Sequence, residues 1–220
     1  MRTVDPVRHA ESRKRILDGA AEAFAAKGYA KTTVADLRRA TQVSSGSLFH
    51  YFADKGAIFR GVVEEDCRKV TERLATIDET EPLTAFWAAV DVLIGDLGDP
   101  KAAGLTVAML ERIPADSEIA VILGRYDAAV LDLLAGLARR LQQADRMDRS
   151  ISPLRVARWV LGMIDGLYLH CADDGFDSRK EARFLQLVIG RTFQVQGSAT
   201  GKESRAPTHD PGEGARPAAP

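Results

Sequence analysis

Apolar side chains recur every three to four residues along most of the chain. Ile16, Leu17, Ala20, Ala21 and Phe24 mark the inner face of a first helix starting near Glu11. Gly28 supplies its stop. Thr33 and Asp36 have the spacing of a capping box and open a short second helix, with Val34, Leu37 and Ala40 inward. After a turn at Thr41-Gln42-Val43, Ser44 or Ser45 caps a third helix, on which Leu48 and Phe52 stand one turn apart. Asp54 caps a fourth helix, with Ile58, Phe59, Val62 and Val63 inward. Further helices are predicted over Leu83–Leu97, from Pro100, over Ser117–Leu141, from Ser152-Pro153 through Cys171, and over about Ser178–Val195. No stretch alternates with period two for long enough to form a strand, so the chain reads as all-α. The organisation predicted is a flexible arm over 1–10, a three-helix unit over 11–56, a helical body over 57–196 and a disordered tail over 197–220. The tail is rich in proline and glycine and has no aromatic residue.

Charge divides the chain. The 220 residues carry 30 basic and 31 acidic side chains, a net of -1. Residues 1–60 hold 11 basic and 6 acidic side chains, a net of +5, which leaves -6 for the remainder. A basic end that meets a polyanion and an acidic body that does not is the simplest reading. No apolar run reaches the roughly 18 residues of a membrane span. Arg13, Lys14 and Arg15 precede an apolar stretch, but Asp18, Glu22 and Lys27 interrupt it, which argues against an export signal. Cys67 and Cys171 lie far apart and read as reduced thiols of a cytoplasmic protein. The four histidines are scattered, and no metal-binding, phosphate-cradling or nucleophile motif occurs, so neither metal nor cofactor is expected.

Two short helices joined by a tight turn, after a longer one, make a helix-turn-helix. Its second helix would enter the major groove of DNA. Leu48 and Phe52 hold that helix to the core, while Ser44, Ser45, Ser47, Phe49, His50 and Tyr51 are left outward. The small residues let its N-terminal turn approach base edges, and Lys55, starting the next helix, can neutralise a phosphate. The run Thr32-Thr33-Val34-Ala35-Asp36-Leu37, then Val43-Ser44, Gly46 to Phe52, and Asp54-Lys55, resembles the DNA-binding segment of the TetR family of transcriptional regulators. The match covers roughly Arg13–Val63. The resemblance implies about nine helices, a homodimer and a C-terminal effector pocket. It also implies contacts to the sugar-phosphate backbone or base edges from Thr33, Ser45, Ser47, Tyr51 and Lys55, with base readout at Ser45, Gly46 and His50. The sequence departs from the family pattern at Gln42, where glycine is usual, at Phe49, where tyrosine is usual, and at Gly56, where an acidic residue is commoner.

The body resembles the family in architecture only. Its candidate ligand-binding residues are the bulky or polar ones on apolar faces: Trp87, Met109, Tyr126, Trp159, Met163, Asp165, Tyr168 and His170. Asp165, in the apolar run Gly162 to Leu167, calls either for an ion pair with Arg125, Arg155 or Arg158 or for a cationic or hydroxylated effector. The last two helices carry Val156, Val160, Ile164, Leu167, Leu185, Val188, Ile189 and Phe193, an apolar excess that suits a two-fold dimer seam, and Gly162 and Gly166 would permit close helix approach. These features describe a homodimeric, non-enzymatic regulator, a repressor that an unidentified small molecule releases from a palindromic operator. Two rivals are a small all-α enzyme carrying a helix-turn-helix and a helix-turn-helix dimer that senses nothing.

Overall fold

A computed structural model of the chain describes residues 6–78 and 80–196. The expected tail, 197–220, lies outside them, as do residues 1–5 of the expected arm. Among the described residues there are nine α-helices and no strand. The first, α1 (Pro6–Lys31), begins five residues before Glu11. Proline is tolerated in the first turn of a helix, so residues 6–10 are helix and not arm. Gly28, at φ 75°, breaks the helical path as its sequence position suggests, and one further turn carries the chain to Lys31.

Helices α2 (Val34–Thr41) and α3 (Ser45–Tyr51) follow, each capped by a side chain. Thr33 and Asp36 form a reciprocal capping box on α2, and the Ser44 hydroxyl accepts the Ser47 N–H on α3. Each cap contributes about 1 kcal/mol. Burial contributes more: Phe24, Phe59, Ile16, Leu17, Leu37, Leu48 and Ile58 are fully buried in one cluster, at roughly 1.5–3 kcal/mol apiece.

Helix α4 (Lys55–Ala75) places Ile58, Phe59, Val62 and Val63 in that first cluster and Leu74 in the second. The boundary expected at residue 56 lies inside this helix, whose later turns reach the second cluster. The second cluster gathers α5 (Pro82–Leu93), the later turns of α7 (Ser117–Gln143), α8 (Pro153–His170) and α9 (Ser178–Thr192). Between the clusters lies α6 (Pro100–Arg112), continued by a short 3-10 turn at Ile113–Ala115. Its Ala108, with Ile119 of α7, is buried in the first cluster.

Backbone contact holds α6 on α1. A Cβ at Gly104 would stand 2.1 Å from the Ala25 carbonyl oxygen, so only glycine allows this crossing. Gly124, within α7, has open space where a Cβ would go. Gly104→Ala is expected to lose about 1–3 kcal/mol by overpacking. Gly124→Ala is expected to gain about 0.5–1 kcal/mol from helix propensity. Thermal melts of the two variants should move in opposite directions, and a Gly104→Ala protein that melts no lower than the parent would contradict the tight crossing.

Candidate nucleic-acid interface and cavity

The turn between α2 and α3 is made by Gln42 in the left-handed region, φ 57° and ψ 30°. A non-glycine residue there costs about 1 kcal/mol. The turn sets α3 on the first cluster through Leu48 and Phe52 and leaves Gly46, Ser47, Phe49 and His50 exposed and Ser45 and Tyr51 half-buried. Phe49 is 45% exposed, with no partner in the core to account for it. Thr33 and Ser44, expected at the interface, commit their hydroxyls to the two helix caps: the Thr33 hydroxyl donates to Asp36 at 2.7 Å. Lys27 and Thr33 together hold the Asp36 carboxyl well below the usual range.

Lys55 is used differently from expectation. Its ammonium donates to the Tyr29 and Thr32 carbonyls, each at 3.0 Å, and lies 4.3 Å from the centre of the Tyr29 ring. It clamps the end of α1 to the start of α4, with at most one N–H left for a phosphate. Sequence reasoning missed His9. Because α1 begins at Pro6, the His9 ring packs 4.7 Å from Tyr51 and 6.5 Å from His50, at the exposed end of the reading helix. The proline before it was the available signal.

Behind this surface, α4, α5, α6, α7 and α8 line a partly open cavity of about 340 Å³. Apolar side chains make most of the wall, among them Val70, Leu93, Leu105, Met109, Leu110, Leu123, Leu161 and Ile164. Of the candidate ligand residues, Met109, Tyr126, Asp165 and Tyr168 meet there, and the Tyr168 hydroxyl donates to the Leu93 carbonyl at 3.0 Å. The other four lie elsewhere. Trp87 packs on Phe86, and Met163 lies against the second cluster. Trp159 is 60% exposed, and His170 is an exposed side chain 2.8 Å from Asp173. Trp159, Met163 and His170 recur at helical spacing on α8, and that spacing does not say which face the cavity takes.

Asp66, Asp96 and Asp127 also line the cavity and were missed from the sequence. Asp96 pairs with Arg73 at 3.5 Å. Among the described residues, Asp66, Asp127 and Asp165 have no ion-pair partner, so the expected pairing of Asp165 with Arg125, Arg155 or Arg158 does not form. All three are exposed side chains. Even so, desolvation and the charge of Asp127 push Asp165 up to about 6. Desolvation also raises Asp127, and desolvation with the nearby Asp96 raises Asp66. Burial pushes the Cys67 thiol, in the same wall, up to about 12, which leaves it protonated and unreactive.

The expected dimer residues are largely committed within the chain. Val156, Val160, Leu185, Ile189 and Phe193 are buried in the second cluster, Leu167 packs against it, and Ile164 lines the cavity; Val188 is half-buried. The apolar excess read from the sequence belongs to the core. The exposed apolar side chains of α8 and α9 are instead Trp159, Phe184 and Leu187.

A polar bridge joins the two regions. Asp116, 8% exposed, receives Arg60 of α4 at 2.9 Å and Arg112 of α6 at 3.2 Å, while Glu118 holds Arg60 at 3.0 Å. The Arg112 guanidinium also lies 4.4 Å from the centre of the Tyr29 ring, the same ring that Lys55 covers. Glu111 accepts the Ala30 N–H at 3.4 Å. Burial alone would raise Asp116, but the hydrogen bonds from Arg60 and Arg112 hold its carboxyl below the usual range. A depressed folded-state pKa contributes stability that is present above the unfolded carboxylate value and is lost as the pH falls through the folded one. Asp116→Asn should therefore lose about 1–3 kcal/mol near neutral pH, the worth of hydrogen bonds to a charged group. The gap should narrow below about pH 4. Urea midpoints at the two pH values check this, and a gap that widens in acid would contradict it.

Comparison with known proteins is consistent along the chain. The family model for bacterial regulatory proteins of the tetR family matches residues 16–62, and that for the C-terminal region of BetI-type transcriptional repressors matches 80–189. The HTH-type transcriptional repressor Rv1474c of Mycobacterium tuberculosis is 34% identical over 181 residues, 81% of this chain and 91% of that protein. The HTH-type transcriptional repressor AcnR of Corynebacterium efficiens is 29% identical over 171 residues, 76% and 81% of the two chains. A TetR transcription regulator from Haloarcula marismortui shares the fold, with a TM-score of 0.76 at 15% identity over 85% of this chain and all of that one.

Proposed function

The chain belongs to the tetR family of bacterial regulatory proteins, DNA-binding transcriptional regulators, and we propose that it is a homodimeric repressor which a small molecule in the body cavity releases from a palindromic operator. The observation that carries the ligand-responsive part is the cavity wall itself. Leu105, Met109 and Leu123 line the cavity and also pack against the first cluster, on which the reading helix is mounted. A ligand that fits only when α6 shifts acts on the first cluster directly. It acts again through Arg112 on Tyr29 and through Asp116 on Arg60. The ligand must bind the released conformation more tightly than the DNA-bound one, since equal affinity shifts nothing.

The names of both relatives favour repression over activation. The cavity favours this reading over a dimer that senses nothing. At the DNA, Ser45, Gly46, Ser47, Phe49, His50 and Tyr51 are the residues free to meet bases and phosphates, with His9 beside them. Thr33, Ser44 and Lys55 act chiefly by holding the reading head together. The partner chain takes the exposed face of α8 and α9, where Trp159, Phe184 and Leu187 stand outward. Gly162 and Gly166 have open space at their Cβ positions and let helices approach closely there. Two such faces related by a two-fold axis give a self-complementary contact, and the dimer sets the reading helices about one helical turn of DNA apart, about 34–36 Å. Such a repressor works in the cytoplasm; no helix among the described residues is long and apolar enough to cross a membrane.

Trp159→Glu tests the dimer. It places a charge at the centre of the proposed seam and disturbs no core packing, since the ring is exposed. Sedimentation should show the self-association weakened about 100-fold, the loss of one central aromatic anchor. Affinity for an operator selected from random duplexes should fall with it. A Trp159→Glu protein that stays dimeric at micromolar concentration would remove α8 and α9 as the seam.

A further inference from the structure

Helix α1 begins well ahead of the core it serves. Ile16 is its first residue in the buried cluster, yet the helix starts at Pro6. Val7, Arg8 and Ala10 are exposed, so these early turns hide little apolar surface of their own. What they meet is the C-terminal end of the reading helix. His9 and Arg13, one turn apart on the same face of α1, lie against consecutive residues there. The His9 ring stands 4.7 Å from Tyr51 and 6.5 Å from His50, centre to centre. The Arg13 guanidinium lies 5.2 Å from the centre of the Phe52 ring. His50 and Tyr51 are themselves edge to face at 5.3 Å. Three rings from two helices close on one another, each pair within the range where aromatic side chains attract.

The two ends of α3 are held by different means. At its start, Gln42 sets the turn and Ser44 caps the helix. At its end, neither the His50 nor the Tyr51 side chain has a hydrogen-bond partner among the described residues, and ring contact is what holds them. A side chain on a helix surface samples several staggered rotamers when nothing packs against it. Ordering it on DNA then costs free energy at every binding event. A third ring, supplied by a neighbouring helix, removes part of that freedom before DNA arrives.

We propose that His9 is a positioning residue for DNA recognition: its ring fixes the orientation of Tyr51 and His50 in the free protein, and so sets both the affinity and the base preference of the C-terminal end of the reading helix. The proposal rests on the reading above that places His50 and Tyr51 at the DNA. His9 acts through the contact of its ring and not through a polar contact of its own to DNA. An aromatic ring without nitrogen atoms therefore serves in its place, and a polar side chain without a ring does not.

The test uses the full chain and a duplex that the parent protein selects from a random pool. His9→Ala removes the ring and keeps the best helix former at that position, so the start of α1 is retained. Its melting temperature should move by no more than about 2 °C, because the site lies outside the core. Operator affinity should fall about three- to tenfold, the worth of the lost ring contacts. A second selection with this variant should show relaxed preference at one base position of each half-site. His9→Phe should restore both affinity and preference, and His9→Gln should restore neither. Unchanged affinity or unchanged base preference in His9→Ala overturns the proposal. So does restoration by glutamine, which would mark a direct polar contact, or a fall in melting temperature beyond the stated limit that phenylalanine does not reverse. His50→Ala and Tyr51→Ala separate this proposal from the reading beneath it. If they weaken operator binding and His9→Ala does not, His9 positions nothing and the reading helix stands. If neither weakens it, these residues are not at the DNA, and the role of His9 falls with theirs.

Discussion

With any side chain at position 104, α6 could not lie where it does. The Ala25 carbonyl occupies the place of a Cβ, so the two helices meet backbone to backbone. Everything that links the body to the reading head follows from that crossing. It sets Ala108 into the first cluster, brings Glu111 to the Ala30 amide and delivers Arg112 to Tyr29 and Asp116. The opposite side of α6 is left as the wall of the cavity. One helix is thus a structural member of both regions, and it cannot shift against one without straining the other.

Tyr29 shows how tightly the junction is built. Its ring packs with Phe24 and Phe59 in the first cluster and is approached by two cations, Lys55 from the start of α4 and Arg112 from the end of α6. The segment after Gly28 is therefore pinned by both helices that touch the body. Lysine and arginine here do structural work, within a chain end whose surplus positive charge otherwise suits a polyanion. A basic side chain near a helix-turn-helix is not by that fact a phosphate contact; its hydrogen bonds decide.

The charge asymmetry has a second meaning inside the body. The acidic surplus of residues 61–220 does not only cover the surface. Part of it lines the cavity, where partial desolvation raises Asp66, Asp127 and Asp165 although the three side chains keep contact with solvent.

Much of the fold was legible along the chain because helix signals are local. The apolar period, the Thr33 and Ser44 caps, the proline starts and the left-handed turn at Gln42 each lie within a few residues, and each element formed near its expected place. The reading head was legible for the same reason: its motif is one short continuous run. Local signals failed where the question was which apolar face meets which neighbour. Val156, Val160, Leu185 and Ile189 have the pattern of a seam, yet they fill the core, and Trp159 and Phe184 stand outside it. Periodicity fixes a face relative to its own helix axis and says nothing about rotation of that axis in the bundle. The cavity was beyond reach for a related reason. Asp66, Asp127 and Asp165 are far apart in sequence and become one site only when α4, α7 and α8 pack together, which the side-chain volumes of the whole core decide.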